Sequence, residues 1–391
     1  MSLFFRNCLA LGLFVCCYCL LGQMLQAQNV SYVPLNTYPD IANKPINTAL
    51  SVGAIPAEAS TGATGGFSYS KPIAVPPGTN EIVPDLAIEY NSHTGDGILG
   101  KGWNLSGLSV ITRGNHNIYF DGKADPVKLK SSDRFYLDGM RLTIRGGSYG
   151  SNGATYRKEA DDFSVITSYG STGNGPLRFE LQTKEGAILE YGGTNSSRFE
   201  TNDGEDILYW KLSKIRYPDG NYIEFNYIDS YRHHRISEIR YTGNSFTGQA
   251  PYNRILFYYK VRTDQNTVYE GGSSMVDRYL LDRIAVRAES KTFKNYDFRY
   301  SFNGYNSLLN SVKESGEGGN SMNTTIFKYG LSTVDLTDER LNTFQNQNVD
   351  FFSGDFDGDG YTDILAAPIT YSGRNKFNSA LKVYKRTANN T

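Results

Sequence analysis

An acidic loop near the end of the chain has the residue types and the spacing of a metal site. Its oxygen donors, in chain order, are Asp355, Asp357, Asp359, Tyr361 and Asp363. A hard cation such as Ca2+ takes about six to eight oxygen ligands at roughly 2.3–2.6 Å. The four carboxylates and the Tyr361 carbonyl would supply these ligands, and Gly360 would permit the tight turn. The spacing therefore predicts a calcium site; the alternative is a solvated acidic turn without metal.

The loop differs from the EF-hand. An EF-hand needs a bidentate Glu at its twelfth position, and that position is Ala366 when Asp355 is counted as the first. Val349 and Phe351 before the loop and Ile364 after it favour strands rather than helices. The acidic loop is therefore predicted to connect two strands.

A second pattern resembles a nucleotide site but does not predict one. Residues 95–100, Gly-Asp-Gly-Ile-Leu-Gly, match the dinucleotide fingerprint, and Lys101 extends them towards a phosphate-binding loop. Such loops lead into a helix, and the phosphate loop has Ser or Thr after its lysine, whereas Gly102 follows Lys101. A tight β turn without nucleotide is predicted there.

No catalytic residue is predicted. The zinc hydrolase pattern His-Glu-Xaa-Xaa-His does not occur in the sequence. His233 and His234 are adjacent, and adjacent side chains on a strand point to opposite faces, so a shared metal is not expected. A surface loop is predicted for this pair. The calcium ligands are thus the only predicted site, and Ca2+ is the only predicted cofactor.

The N-terminus has the pattern of a secretory signal peptide over residues 1–27. Arg6 precedes an apolar run over residues 8–21, which is too short for a spanning helix, and small residues favour cleavage after Ala27. Cleavage would remove all four cysteines of the chain, because this segment contains Cys8, Cys16, Cys17 and Cys19. We therefore expect a secreted, extracellular protein with no disulfide and no membrane span after signal removal.

The composition is that of an all-β protein. The chain has 29 Tyr, 21 Phe and 40 Gly but only 39% hydrophobic residues, which favours short strands with one buried face and many glycine turns. Residues 222–227 alternate, with Ile223, Phe225 and Tyr227 on one face. Two-residue turn signals stand at Asp121-Gly122, Asp138-Gly139 and Asp219-Gly220. Removal of the signal peptide would take away Arg6 and change the formal net charge from −1 to −2. A nucleic-acid-binding protein usually carries an excess of basic residues, so no nucleic-acid partner is expected.

An unusual series of segments covers residues 65–113. They are residues 65–78, Gly-Gly-Phe-Ser-Tyr-Ser-Lys-Pro-Ile-Ala-Val-Pro-Pro-Gly; residues 84–92, Pro-Asp-Leu-Ala-Ile-Glu-Tyr-Asn-Ser; and residues 97–113, Gly-Ile-Leu-Gly-Lys-Gly-Trp-Asn-Leu-Ser-Gly-Leu-Ser-Val-Ile-Thr-Arg. This signature resembles the N-terminal region of the SpvB family, which includes a Salmonella virulence plasmid protein and the B component of insecticidal toxin complexes. The resemblance extends over roughly residues 60–330, where residues 210–227 are also similar to RHS repeats.

The acidic loop has a resemblance of its own. Residues 354–364, Gly-Asp-Phe-Asp-Gly-Asp-Gly-Tyr-Thr-Asp-Ile, resemble the core of an FG-GAP/VCBS repeat, which marks one calcium-binding blade of an integrin-α-like β-propeller. A single blade cannot bury both faces of its sheet, so the chain is expected to be a truncated part of a longer protein. One member of the SpvB family carries an ADP-ribosyltransferase region with a Glu-Xaa-Glu signature, and no such tripeptide occurs in this sequence.

These observations predict five segments. They are a signal peptide (1–27), an extended lead-in (28–59), an SpvB-like β domain (60–330), a linker (331–348) and an FG-GAP/VCBS repeat (349–391). The resemblance implies a secreted, non-enzymatic scaffold, the N-terminal part of a toxin-complex B-like shell that encapsulates or presents a C-terminal toxin. A toxin-complex-like partner subunit would dock on its propeller blade. The alternative is an extracellular adhesion or ligand-binding FG-GAP protein.

Overall fold

The computed structural model describes residues 50, 56–201, 206–230, 233–270, 273–329, 349–354, 363–372, 375–378 and 382–384. The chain divides into two compact units, Met1–Tyr329 and Gly330–Thr391, which we call the first unit and the second unit. Strands account for 58% and helices for 5% of the described residues, which confirms that this part of the protein is mostly β.

Six short strands come first in the described part of the first unit. They are β1 (Glu58–Thr61), β2 (Phe67–Pro72), β3 (Ala87–Asn91), β4 (Asp96–Gly97), β5 (Gly100–Lys101) and β6 (Trp103–Ser106). An antiparallel sheet has the order β1-β2-β3-β6, and its Ile88 and Trp103 are buried in the main hydrophobic core. The strands β4 and β5 pair with each other as a separate hairpin, so the tight β turn predicted in place of a nucleotide loop is confirmed.

Eight of the next nine strands close into a barrel. The nine are β7 (Val110–Gly114), β8 (Arg134–Leu137), β9 (Met140–Gly146), β10 (Thr155–Lys158), β11 (Val165–Tyr169), β12 (Arg178–Gln182), β13 (Ile188–Tyr191), β14 (Arg198–Glu200) and β15 (Ile207–Arg216). Strands β7 to β13 pair in sequence order. The long β15 then pairs with β7 through residues 209–211 and with β13 through residues 212–216, which completes the ring. The ninth strand, β14, pairs with β15.

Aromatic side chains fill the barrel. Trp210 of the closing strand meets Phe135 and Phe179 edge to face, at ring-centroid distances of 5.5 and 5.1 Å. Tyr156 is also fully buried, and Tyr149 stacks on Phe135 at 5.3 Å. Successive residues of a strand face opposite sides, so about every second side chain of a barrel strand points to the interior, where this cluster lies. The barrel core therefore depends on β15 being in register.

The sheet continues from β15 as an antiparallel meander. Its strands are β16 (Asn221–Ser230), β17 (His233–Asn244), β18 (Asn253–Glu270), β19 (Ser273–Ala288), β20 (Lys291–Phe302), β21 (Ser307–Ser315) and β22 (Thr325–Ile326). The predicted alternation on β16 is confirmed, since Ile223, Phe225 and Tyr227 are buried in the core. The loop predicted for His233 and His234 is wrong, because their backbones pair with β16 and extend the hairpin.

One of the predicted two-residue turns is confirmed. Asp138 and Gly139 have φ values of 49° and 79° and connect β8 to β9, and left-handed conformations at both positions are what a tight hairpin requires. Asp219 and Gly220 also lie in a turn between paired strands, β15 and β16, but this turn is longer than two residues, because the Tyr217 backbone N–H donates to the Asn221 carbonyl.

The two-residue strand turn predicted at Asp121-Gly122 is wrong. Residues Ile118–Asp121 instead form the short helix α1, because the Asn117 side chain accepts a hydrogen bond from the Phe120 backbone and caps its first turn. Gly122, with φ 67°, ends the helix. Within the described residues, the other helical turns are 3-10 segments at Thr79–Glu81, Asn195–Ser197 and Glu317–Gly319.

The second unit contains a small antiparallel sheet. Its described strands are β23 (Val349–Gly354), β24 (Asp363–Ser372), β25 (Asn375–Asn378) and β26 (Lys382–Tyr384). Each of the other three pairs with β24. The strands predicted on both sides of the acidic loop are thus confirmed.

Candidate functional site

The predicted calcium ligands fall mainly outside the described residues. This holds for Asp355, Asp357, Asp359 and Tyr361, while Asp363 is the first residue of β24. The backbone of Asp363 pairs directly with Gly354, the last residue of β23. The acidic segment therefore connects two paired strand ends, which brings its two ends together. Within the described part of the chain, no three His, Cys, Asp or Glu side chains are grouped to hold a metal ion.

Trp103, a residue of the signature on β6, links the β1-β2-β3-β6 sheet to the end of the first unit. Its indole Nε1 donates a hydrogen bond to the Tyr329 hydroxyl at 2.8 Å, and this hydroxyl donates to the Leu309 carbonyl at 2.8 Å. Burial raises the pKa of Tyr329 to about 12, so the phenol keeps its proton and can fill both roles. The signature tryptophan thus connects parts of the chain that lie far apart in sequence.

Replacing Trp103 with Phe is expected to lower the free energy of unfolding of the first unit by about 1–2 kcal/mol, because the indole donor is lost. Urea unfolding followed by the fluorescence of the remaining Trp210 measures this change. Tyr329→Phe removes the same hydrogen bond from the other side. The double variant should therefore lose less than the sum of the single losses, and strict additivity would contradict the assignment.

Arg113, the last residue of the signature, lies inside the barrel with a fully buried side chain. Its Nε donates to the Ile207 carbonyl at 2.7 Å, and carboxylate oxygens of Asp133 and Asp206 lie 3.5 and 3.8 Å from the guanidinium. Burial lowers the pKa of Arg113, while the two aspartates act in the opposite direction. The guanidinium stays charged, because arginine does not lose its proton in proteins. This residue therefore ties β7 to β15 inside the barrel.

One string typical of hydrolases was missed by the sequence reasoning. Residues 146–150, Gly-Gly-Ser-Tyr-Gly, match the Gly-Xaa-Ser-Xaa-Gly elbow. An elbow places its serine between a strand and a helix, whereas β9 ends at Gly146 and a turn leads to β10. The Ser148 carbonyl accepts a hydrogen bond from Ser151 within this turn. The context therefore does not support a nucleophilic serine.

A pocket of about 620 Å³ lies against the outer wall of the barrel, and the sequence alone did not predict it. Thr112 and Val110 of β7 line it together with their cross-strand partners Tyr209 and Lys211 of β15. The far side is lined from β17, β18 and β19. Burial lowers the pKa of Lys211 to about 8. Strands this far apart in sequence meet only through the barrel closure, so no local motif marks the site.

Comparison with known families agrees with the architecture of the first unit. Residues 61–270 match the family described as Salmonella virulence plasmid 65kDa B protein. That range runs from the end of β1, through the barrel, to the end of β18. It covers more than half of the 391 residues. The chain belongs to the SpvB family. The resemblance stated from the signature is thereby confirmed for these residues.

Solved structures extend the likeness of this SpvB family member. The N-terminal domain of effector protein SpvB from Salmonella typhimurium strain LT2 is 16% identical with a TM-score of 0.52, over 62% of this chain and 98% of that one. The TcdB2-TccC3 crystal structure is 14% identical with a TM-score of 0.62, over 88% and 21%. The Tc holotoxin pore of Photorhabdus luminescens, with the TccC3-D651A mutation, is 14% identical with a TM-score of 0.61, over 91% and 21%.

This SpvB family chain spans about a fifth of the length of the toxin-complex chains that it matches. At such identities the likeness establishes a shared fold. No curated protein sequence matches the chain. No helix within the described residues is both long enough and apolar enough to cross a lipid bilayer.

Proposed function

We propose that this chain is the N-terminal part of a secreted, non-enzymatic scaffold, a toxin-complex B-like virulence protein whose β wall encloses or presents a toxic C-terminal region. The likeness to TcdB2-TccC3 over 88% of the chain carries this proposal, because it extends well beyond the family region of residues 61–270. A closed barrel that continues into an antiparallel meander is suited to form the wall of a shell, because few of its backbone N–H and C=O groups are left to pair with other chains.

Protease protection tests the scaffold role. The whole product of the gene, including whatever it encodes after Thr391, is treated with a protease and compared with the downstream region produced alone. A downstream region enclosed by the β wall should be cleaved at least about tenfold more slowly in the whole product. Equal cleavage rates would reject the enclosing role and would favour the adhesion alternative.

Export belongs to the same proposal and rests on the signal-peptide pattern of residues 1–27. Production in a bacterium with an intact export pathway should yield a mature protein that begins at Gln28. N-terminal sequencing of the exported material checks the cleavage site.

We also propose that the acidic segment binds Ca2+ and stiffens a propeller blade that docks a partner subunit. The direct pairing of Gly354 with Asp363 supports this proposal. It holds together the two ends of the segment that carries the carboxylates, and a calcium site needs several oxygen ligands close to one another. The Asp357→Ala/Asp359→Ala variant should lose its calcium heat in titration calorimetry. It should also lose the Ca2+-dependent rise in melting temperature of the second unit.

The matched control is Asp335→Ala/Asp338→Ala, which removes two nearby aspartates that are not predicted ligands. This control should bind Ca2+ like the wild type. Identical calcium heats in all three proteins would refute the ligand assignment and leave the solvated acidic turn as the description of the loop.

A further inference from the structure

The sequence contains three Asn-Gly steps, which begin at Asn152, Asn174 and Asn303. In such a step the backbone nitrogen of the glycine can attack the side-chain carbonyl carbon of the asparagine, because glycine has no Cβ to hinder the approach. The three steps share this chemistry, so their surroundings decide which of them reacts. We propose that the folded chain is modified selectively at Asn303, by intramolecular deamidation through Gly304. This inference does not depend on the container role.

The Asn303 step lies in the turn between β20 and β21. Phe302 pairs with Ser307, so the turn consists of residues 303–306. Asn303 and Gly304 are both exposed. A Cβ placed on Gly304 would meet no heavy atom of the described residues within 4 Å, apart from its chain neighbours. Solvent therefore reaches the Gly304 peptide nitrogen, and hydroxide can remove its proton.

The hydrogen bonds of this turn favour the reaction. Asn303 Oδ1 accepts from the backbone N–H groups of Tyr305 at 3.0 Å and Asn306 at 2.8 Å. These two donors face the oxygen on which negative charge develops when the carbonyl carbon is attacked, as in an oxyanion hole. Among the described residues, the Gly304 N–H has no hydrogen-bond acceptor. The nucleophile is thus available, and the carbonyl that it attacks is polarised.

The glycine nitrogens of the other two steps are already engaged. The Gly153 N–H donates to the Ser168 carbonyl at 2.8 Å, and the Gly175 N–H donates to the Thr172 carbonyl at 3.2 Å. Gly175 is also buried. Each of these hydrogen bonds must open before the nitrogen can lose its proton, so both steps react only through local opening of the structure. The fold therefore separates three steps that are chemically alike.

The reaction needs only water as a co-reactant. The Gly304 nitrogen loses its proton to hydroxide and forms a bond to Asn303 Cγ. The Cγ–Nδ2 bond then breaks, and the amide nitrogen leaves as ammonia after taking a proton from water, which restores the hydroxide. Water opens the resulting succinimide ring at either carbonyl. The products are aspartate or isoaspartate at position 303, each with a negative charge that the carboxamide lacked.

The modification would disturb a buried contact directly after the turn. The backbone N–H and the Oγ of Ser307, the first residue of β21, both donate to the Asp264 carboxylate at 2.5 Å. That carboxylate also pairs with the buried Arg262. Isoaspartate adds one methylene to the main chain, so the pairing of Phe302 with Ser307 would lose its register. The modified protein should therefore melt at a lower temperature.

Peptide mapping by mass spectrometry tests the selectivity. The full chain is incubated at mildly alkaline pH, once folded and once unfolded in guanidinium chloride. In the folded chain, Asn303 should deamidate at least about fivefold faster than Asn152 or Asn174, because a backbone hydrogen bond must first open at the other two steps. In the unfolded chain all three should react at similar rates, since the protecting hydrogen bonds are absent.

The matched controls replace one asparagine at a time. Asn303→Gln should abolish the modification in this turn, because its longer side chain would have to close a six-membered ring, and the aged variant should keep its melting temperature. Asn152→Gln should leave the modification of the folded chain unchanged. Equal rates at the three steps of the folded chain, or a faster reaction at Asn152 or Asn174, would overturn the proposal. So would an unreactive Asn303 in the folded chain when the unfolded chain reacts there.

Discussion

Replacing Glu314 with alanine is expected to destabilise the first unit by about 3–5 kcal/mol. Glu314 of β21 accepts from two lysines, with Lys71 Nζ at 2.5 Å and Lys294 Nζ at 3.1 Å. The Lys71 and Glu314 side chains are only 1% and 7% exposed. Loss of the carboxylate would leave the Lys71 ammonium buried without a counter-charge, and this desolvated charge is the main cause of the expected loss.

Urea unfolding followed by tryptophan fluorescence measures this change, because the only two tryptophans, Trp103 and Trp210, both lie in the first unit. Glu317→Ala is the matched control, since Glu317 is exposed two positions beyond β21, and its effect should stay within about 0.5 kcal/mol. The Lys71→Met/Glu314→Leu variant removes both buried charges and should recover part of the loss. A single Glu314→Ala loss below about 1 kcal/mol would contradict the buried-charge argument.

The same carboxylate gives the stability a defined dependence on pH. Burial alone would raise the pKa of Glu314, but hydrogen bonds and charge from Lys71 and Lys294 outweigh it, so the folded-state pKa lies below its ordinary value. A depressed carboxyl pKa contributes stability above the unfolded pKa, which is about 4.3 for Glu, and that stability is lost as the pH falls through the folded pKa. The advantage of the wild type over Glu314→Gln should therefore shrink as the pH falls below about 4.3.

Replacing Trp210 with alanine is the second large change, with an expected loss of about 3–5 kcal/mol. Trp210 is fully buried on the strand that closes the barrel, and it contacts Phe135 and Phe179 edge to face. Its indole Nε1 also donates to the Pro176 carbonyl at 3.2 Å. The substitution would leave a cavity beside the buried Arg113 and an unpaired carbonyl.

Circular dichroism during urea unfolding measures this loss without relying on the fluorescence of the deleted side chain. Trp210→Phe keeps an aromatic ring in the cluster and should cost about 1–2 kcal/mol. Tyr119→Ala is the control, because Tyr119 is 87% exposed on helix α1 and should have little effect. Equal stability of the Trp210→Ala and Tyr119→Ala variants would show that the barrel core does not depend on this side chain.

Several elements could be predicted from local sequence because their pattern needs no distant partner. The alternation of Ile223, Phe225 and Tyr227 specified a strand and its buried face, and Asp138-Gly139 specified a hairpin through its left-handed backbone. The signature of residues 65–113 identified the family. Asp121-Gly122 was predicted wrongly, because the Asn117 cap stabilises a short helix that the dipeptide alone does not reveal.

The sequence by itself determined that this is a mostly β protein of the SpvB family, because strand periodicity, turn chemistry and a family signature are all local properties. Only the tertiary structure decided that β15 closes a barrel, that Arg113 lies inside it, that Lys71 meets Glu314, and that Lys211 faces a pocket. Local alternation fixes which face of a strand is apolar, but it does not fix which strand lies beside it. The register between distant strands sets these contacts, and it emerges only when the whole sheet is packed.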